Sequence, residues 1–256
     1  MPSLDDVVDL DAVIPKPKPH LLDDDVQKGR RAIDRVLSAS DAELNSRAFL
    51  LSQFKNFGLP LVTADFFKPW AAHMNASGFG ALQVPTEYID MLRTIMPLNL
   101  ETGIEIGVYR GGFSYFTTAV LQRVNPRFTL TLVDPWDSML GFDQFAAVLN
   151  LRKLMPSTSQ DFAGQRFDFV FIDGDHTYEG AIADWRNLGV HAARAVGFHD
   201  IHDHTPGTGT AQTWNEIKAQ VCETHEVYEF AHAVERGLGI GLVVNPSGYR
   251  TLRQLI

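Results

Sequence analysis

The chain has 256 residues, 45% hydrophobic and 21% charged, a globular balance that excludes a wholly disordered protein. Its net charge of −9 repels phosphate backbones and disfavours a general nucleic-acid-binding role. A single cysteine (Cys222), an acidic start (MPSLDDVVDL) unlike the basic end of a signal peptide, and no apolar run of membrane-spanning length set the expectation of a cytoplasmic protein with no membrane partner.

Residues 1–22 contain PKPKP, which neither continues a helix nor fits a central strand, so this segment reads as a flexible, Pro-rich arm. From about 24 to 57 the pattern is helical. Ser40 and Glu43 of SDAE form a capping-box sequence, and Leu44, Ala48 and Leu51 follow at i, i+4 and i+7. With the Phe- and Gly-rich stretch 58–84, residues 23–84 read as a helical cap or oligomerisation region, which would make the protein a homo-oligomer. The third region, 85–256, opens with a helix near 86–96 whose apolar stripe is Ile89, Leu92 and Met96.

Beyond residue 100 strands and helices alternate. TGIEIGV (102–108) is a short apolar strand. FSYFTTAVLQRV (113–124) is a helix with Phe113, Phe116, Val120 and Leu121 on one face, stopped by Asn125-Pro126. FTLTLVD (128–134) alternates as a strand, and FDFVFIDG (167–174) is a buried-strand run. TYEGAIADWRNLG (177–189) has Tyr178, Ala181, Ile182 and Trp185 at helical spacing, RAVGFHD (194–200) is a weaker strand, and a helix follows at about 211–224. EVYEF (226–230) and GIGLVVN (239–245) close the series. Strands alternating with helices of 10–15 residues indicate an α/β fold with a mostly parallel sheet covered on both faces.

In such sheets ligands bind at the carboxyl ends of the strands. The first end, EIGVYRGG (105–112), has glycines that permit a tight turn and close ligand approach before a helix; packing alone is the alternative. The second, LVDPW (132–136), puts Asp134 23 residues after Gly111, about where an acid accepts hydrogen bonds from a ribose. Trp136 covers an adenine ring on one reading and anchors the core on the other. Two further ends, IDGDHTY (172–178) and FHDIHDH (198–204), bring Asp173 and the pair His199–Asp200 to one edge as oxygen and nitrogen donors for a divalent metal. His176 is a general base with a suitable pKa, although Asp173, Asp175 and His176 also fit a capping turn. His202, Asp203 and His204 fall beyond the strand, in a loop facing solvent or the acceptor.

These segments together resemble the class I S-adenosylmethionine-dependent methyltransferases. More narrowly they resemble metal-dependent O-methyltransferases related to macrocin O-methyltransferase and cephalosporin-biosynthesis methyltransferase-like proteins. The resemblance spans about residues 80–245, and FIDGDHTYEG is its most specific part. It implies a Rossmann-like, doubly wound sheet of seven strands with an antiparallel last strand. It places S-adenosylmethionine near Glu105, Gly107 and Gly111, with Asp134 on the ribose; Trp136 and Asp173 are counted with them as cofactor-binding residues. It maps the metal ligands onto Asp173, His199 and Asp200, and the base onto His176, with Asp173 also counted as catalytic. Magnesium leads, but many relatives have an oxygen ligand where this chain has His199, which suits manganese, iron or zinc.

The expected activity is methyl transfer to a hydroxyl of a small molecule, of sugar or secondary-metabolite type. The alternatives are a metal-dependent hydrolase or oxidase-like relative that has lost methyl transfer, and a non-catalytic S-adenosylmethionine-binding protein. The acceptor cover falls to the N-terminal helices and the stretches 58–84 and 202–210.

Overall fold

A computed structural model describes residues 19–56, 83–232 and 238–245. Helix α1 (Pro19–Leu37) begins at a proline, whose fixed φ and missing N–H suit a first helical position. It therefore starts inside the stretch 1–22 read as an arm, and residues 1–18 lie outside the described ones. Helix α2 (Asp41–Leu44) has the expected capping box: the Ser40 side chain accepts from the Glu43 amide, and the Glu43 carboxylate accepts from the Ser40 amide at 2.9 Å. Helix α3 (Arg47–Asn56) follows, and of the stretch 58–84 only Gln83 and Val84 are described.

Helix α4 (Pro85–Ile95) leads to β1 (Thr102–Ile106), and α5 (Gly112–Val124) to β2 (Thr129–Val133). Next come the short α6 (Phe142–Ala146), β3 (Leu151–Leu154), β4 (Phe169–Ile172), α7 (Tyr178–Asn187), β5 (Ala195–His199), α8 (Thr210–Val221), β6 (Glu226–Phe230) and β7 (Ile240–Val244). The strand order is β3-β2-β1-β4-β5-β7-β6, with β1 to β5 parallel and β7 antiparallel to both its neighbours. This is the Rossmann-like, doubly wound sheet expected from the sequence, including its antiparallel end. Strand β3 escaped the pattern reading because Arg152 and Lys153 interrupt a half-exposed edge strand.

Two cores flank the sheet. On one face, Ile33 and Val36 of α1 and Leu50 and Phe54 of α3 are buried with Tyr88 of α4 and Phe116 of α5. The Phe54 ring lies 4.8 Å from Tyr88 and 5.1 Å from Phe116, within the range where aromatic pairs add to simple burial. On the other face, Ile104, Val170 and Phe198 pack against Trp185 of α7 and Trp214 and Ile217 of α8. Being covered on both sides, β4 and β5 are fully buried along their length, which is why they read as apolar runs.

Strand β1 has β2 on one side and β4 on the other, so the direction of winding reverses there and opens a crevice at the strand ends. The Asp173 amide donates to the Ile106 carbonyl at 2.9 Å, and the Gly107 amide to the Val133 carbonyl at 3.0 Å. Gly107 sits at φ +82°, and a Cβ on it would lie 2.0 Å from the Asp173 carbonyl oxygen. Glycine is therefore required twice over, by conformation and by space. Replacing it, as Gly107→Ala, is expected to cost at least about 2 kcal/mol, seen as a fall of roughly 4–8 °C in the thermal midpoint.

Candidate active site at the strand ends

The loop after β1 turns on Gly107 and on Gly111, which lies at φ +88° and is the N-cap of α5. Asp134, just past β2, shapes this loop. Its Oδ2 accepts from the amides of Val108 (2.8 Å) and Tyr109 (3.1 Å), and its Oδ1 from the Trp136 amide (2.9 Å). The Trp136 side chain is left at the surface, 69% exposed, so it is no core anchor. Beneath the loop Glu105 is buried, and its Oε2 has no hydrogen-bond partner among the described residues. Burial pushes its carboxyl well above the carboxylate range; Ser114 opposes this, while the charges of Asp173 and Asp134 add to it.

The ends of β4 and β5 converge beside this loop. Asp173 follows β4, His199 ends β5, and Asp200 follows it. One ligand atom from each lies within 4.8 Å of the other two. His199 Nδ1 stands 3.1 Å from Asp173 Oδ1 and 3.2 Å from Asp200 Oδ1. The Asp200 oxygen is buried and makes no hydrogen bond among the described residues, since the His199 contact is poorly aligned. His176 closes the cluster, its two ring nitrogens 3.5 Å from Asp173 Oδ1 and 3.4 Å from Asp200 Oδ2, and its side chain remains 38% exposed.

These groups set one another's charge. Burial works against a charged His199, but Asp173 and Asp200, with Glu87 adding, outweigh it and hold its pKa at about 9. Burial likewise works against the Asp173 carboxylate, and the two histidines overcome it, taking its pKa down to about 2. Asp200 goes the other way: burial holds its carboxyl above the ordinary value despite the histidines. The hydrogen bond to Asp173 raises His176, against burial.

Other residues read from the sequence part company with the cluster. Asp175 accepts from the Thr177 amide at 2.9 Å, and Thr177 caps α7, so the capping-turn reading holds for Asp175. Asp203 makes a similar turn with the Thr205 amide, His204 is exposed, and His202 is half-buried near Gly239. One contributor went unread. Gln83, 4% exposed, donates from Nε2 to Asp173 Oδ2 at 2.8 Å. It precedes a helix and matches no strand-end pattern, so only the position of that helix over the sheet edge reveals it.

The family model Methyltransf_24, described as a methyltransferase domain, matches residues 104–203, the span from β1 past the end of β5. Residues 104–203 are thus similar to a methyltransferase domain. Among solved structures, the O-methyltransferase NovP superposes with a TM-score of 0.54 at 12% identity, over 78% of this chain and 99% of that one. A putative caffeoyl-CoA O-methyltransferase from Staphylococcus aureus gives 0.50 at 12% identity, over 78% and 98%. At such identities the likeness is one of fold. No curated protein matches the sequence. The family model bears out the methyltransferase class read from the strand ends, and the fold agrees with it. No helix among the described residues of this methyltransferase is long and apolar enough to cross a membrane.

Because His199 is raised from 6.5 to about 9, its contribution to stability is complete below pH 6.5 and is lost as pH rises toward 9. In metal-free methyltransferase kept with a chelator, the thermal midpoint is therefore expected to fall across that window. A pH series on His199→Gln is expected to give a visibly flatter profile.

Proposed function

We propose that this methyltransferase is a divalent-metal-assisted O-methyltransferase, cytoplasmic, acting on a hydroxyl of a small molecule of sugar or secondary-metabolite type. The observation that supports it most is the convergence of Asp173, His199 and Asp200 beside the glycine loop. Their spacings of 3.1 and 3.2 Å match the roughly 3 Å between adjacent ligands of an ion bound at about 2.1 Å. The buried, unsatisfied Asp200 Oδ1 is an orphan of the kind a cation satisfies. Two carboxylates and an imidazole accept magnesium, and suit manganese, iron or zinc at least as well. One solved neighbour described above is named an O-methyltransferase and the other a putative one, which supports oxygen as the acceptor atom.

On the cofactor side, Gly107 and Gly111 let the loop backbone come close to S-adenosylmethionine, and Asp134 holds that loop in shape. Three amides occupy three of the roughly four lone-pair sites of the Asp134 carboxylate, leaving one for a ribose hydroxyl. Trp136 offers its exposed face to the adenine ring. Glu105 lies below, its carboxyl pushed well above the carboxylate range by burial.

The sulfonium methyl is already activated, so the protein has to align an acceptor oxygen with it and remove one proton. The metal, when bound, lowers the acceptor's pKa and fixes its oxygen. Gln83 orients Asp173 by holding Oδ2, which leaves Oδ1 facing the histidines. His176, the most exposed member of the cluster, takes the acceptor proton on a ring nitrogen. No covalent bond to the enzyme is needed.

Incubating the full chain with labelled S-adenosylmethionine, magnesium or manganese and a panel of hydroxylated acceptors is expected to transfer label, to stop on chelation and to resume on metal addition. His176→Ala is expected to lower turnover by about 10²–10⁴ while cofactor affinity, read by calorimetry, stays within about threefold. A protein that binds no S-adenosylmethionine at all would sink this reading.

A further inference from the structure

Asp200 is one of three non-glycine residues among those described with positive φ, at +56°. A side chain rarely takes that conformation, although aspartate tolerates it better than most, and it persists only where neighbours enforce it. Here the enforcement is visible. The Asp200 carbonyl accepts two hydrogen bonds, from the Asp203 amide at 3.0 Å and from the Thr210 hydroxyl at 2.9 Å. Thr210 is the first residue of α8, 8% exposed, and ten positions away in sequence. Its neighbour Gly209 reaches the other loop: the Gly209 amide donates to the His176 carbonyl at 2.7 Å. A Cβ at Gly209 would lie 2.4 Å from the Tyr178 backbone, so helix and loop are in direct contact there. The start of α8 therefore grips the backbone behind both His176 and Asp200, from the side away from their ring and carboxylate.

We propose that Thr210 is a positioning residue of the candidate metal centre, its hydroxyl holding Asp200 in the left-handed conformation that turns the carboxylate toward His199. The proposal rests on the reading of Asp173, His199 and Asp200 as metal ligands. Without the hydroxyl, Asp200 relaxes toward an ordinary φ, and its carboxylate swings away from Asp173 and His199. Thr210 touches neither metal nor substrate and acts through Asp200 alone. It therefore governs metal affinity and leaves the glycine loop, and so the cofactor, untouched.

The test uses the full chain and manganese, read by calorimetry and by the electron paramagnetic resonance of the free ion. Thr210→Val removes the hydroxyl and keeps the shape. It is expected to weaken manganese binding about 10–100-fold, the usual effect of losing an outer partner of a metal ligand. S-adenosylhomocysteine affinity is expected to stay within about twofold of wild type, and Thr210→Ser, which restores the donor, to recover manganese binding. A merely structural threonine would shift both affinities together, or neither. If the valine variant does not fold, Thr210→Ala takes its place, with serine still the rescue. Wild-type manganese affinity in a folded variant lacking the hydroxyl overturns the role of Thr210 and leaves the metal reading standing. Failure of wild type to bind manganese, magnesium, iron or zinc overturns both.

Discussion

The backbone contact between Gly107 and Asp173 is the constraint on which the rest of this sheet edge depends. Strands β1 and β4 run in register up to Ile106 and Ile172, and one residue later each chain begins a different task. Gly107 opens the glycine loop before α5, and Asp173 opens the acidic edge that holds His199 and Asp200. A side chain at 107 would force the two apart, because the Asp173 carbonyl fills the space where it would stand. The absence of one methyl group thus keeps the glycine loop and the acidic edge side by side.

The same edge gathers four buried or half-buried acids, Glu105, Asp134, Asp173 and Asp200, in four different environments. Backbone amides hold Asp134, and histidines with Gln83 hold Asp173. Burial pushes the Glu105 carboxyl well above the carboxylate range. Asp200, like Glu105, keeps a buried oxygen that makes no hydrogen bond among the described residues. Buried carboxylates are costly, and proteins normally pair or neutralise them. Leaving one incompletely satisfied beside two candidate ligands is a feature of function more than of folding.

Much of this was legible in the sequence because strand ends punctuate it. EIGVYRGG, LVDPW, FIDGDHTY and GFHDIH each finish an apolar run with glycine, acid or histidine, and parallel strands bring such endings to one edge. His199 and Asp200 thus separate from His202, Asp203 and His204 by position on the strand alone. Strand β3 was hidden by its exposed, basic middle. Gln83 and Thr210 were hidden for a deeper reason. They act from helix beginnings that carry no motif, and their partners are 90 and 10 residues away in the chain. Asp134 reads in the sequence as a candidate ribose-binding acid, but its hold on three loop amides is a matter of geometry that spacing does not encode.

Trp136 gives the chain an optical property of its own. Trp185 and Trp214 are sealed in the core at 4% and 1% exposure, while Trp136 stands 69% exposed at the mouth of the crevice. Buried indoles emit toward the blue and resist aqueous quenchers, whereas an exposed one emits toward the red and is readily quenched. Among the described residues, the indoles therefore divide into two sealed ones that report on folding and one open to whatever approaches the surface beside Asp134. The surface position that costs Trp136 a place in the core makes it a natural witness to ligand arrival.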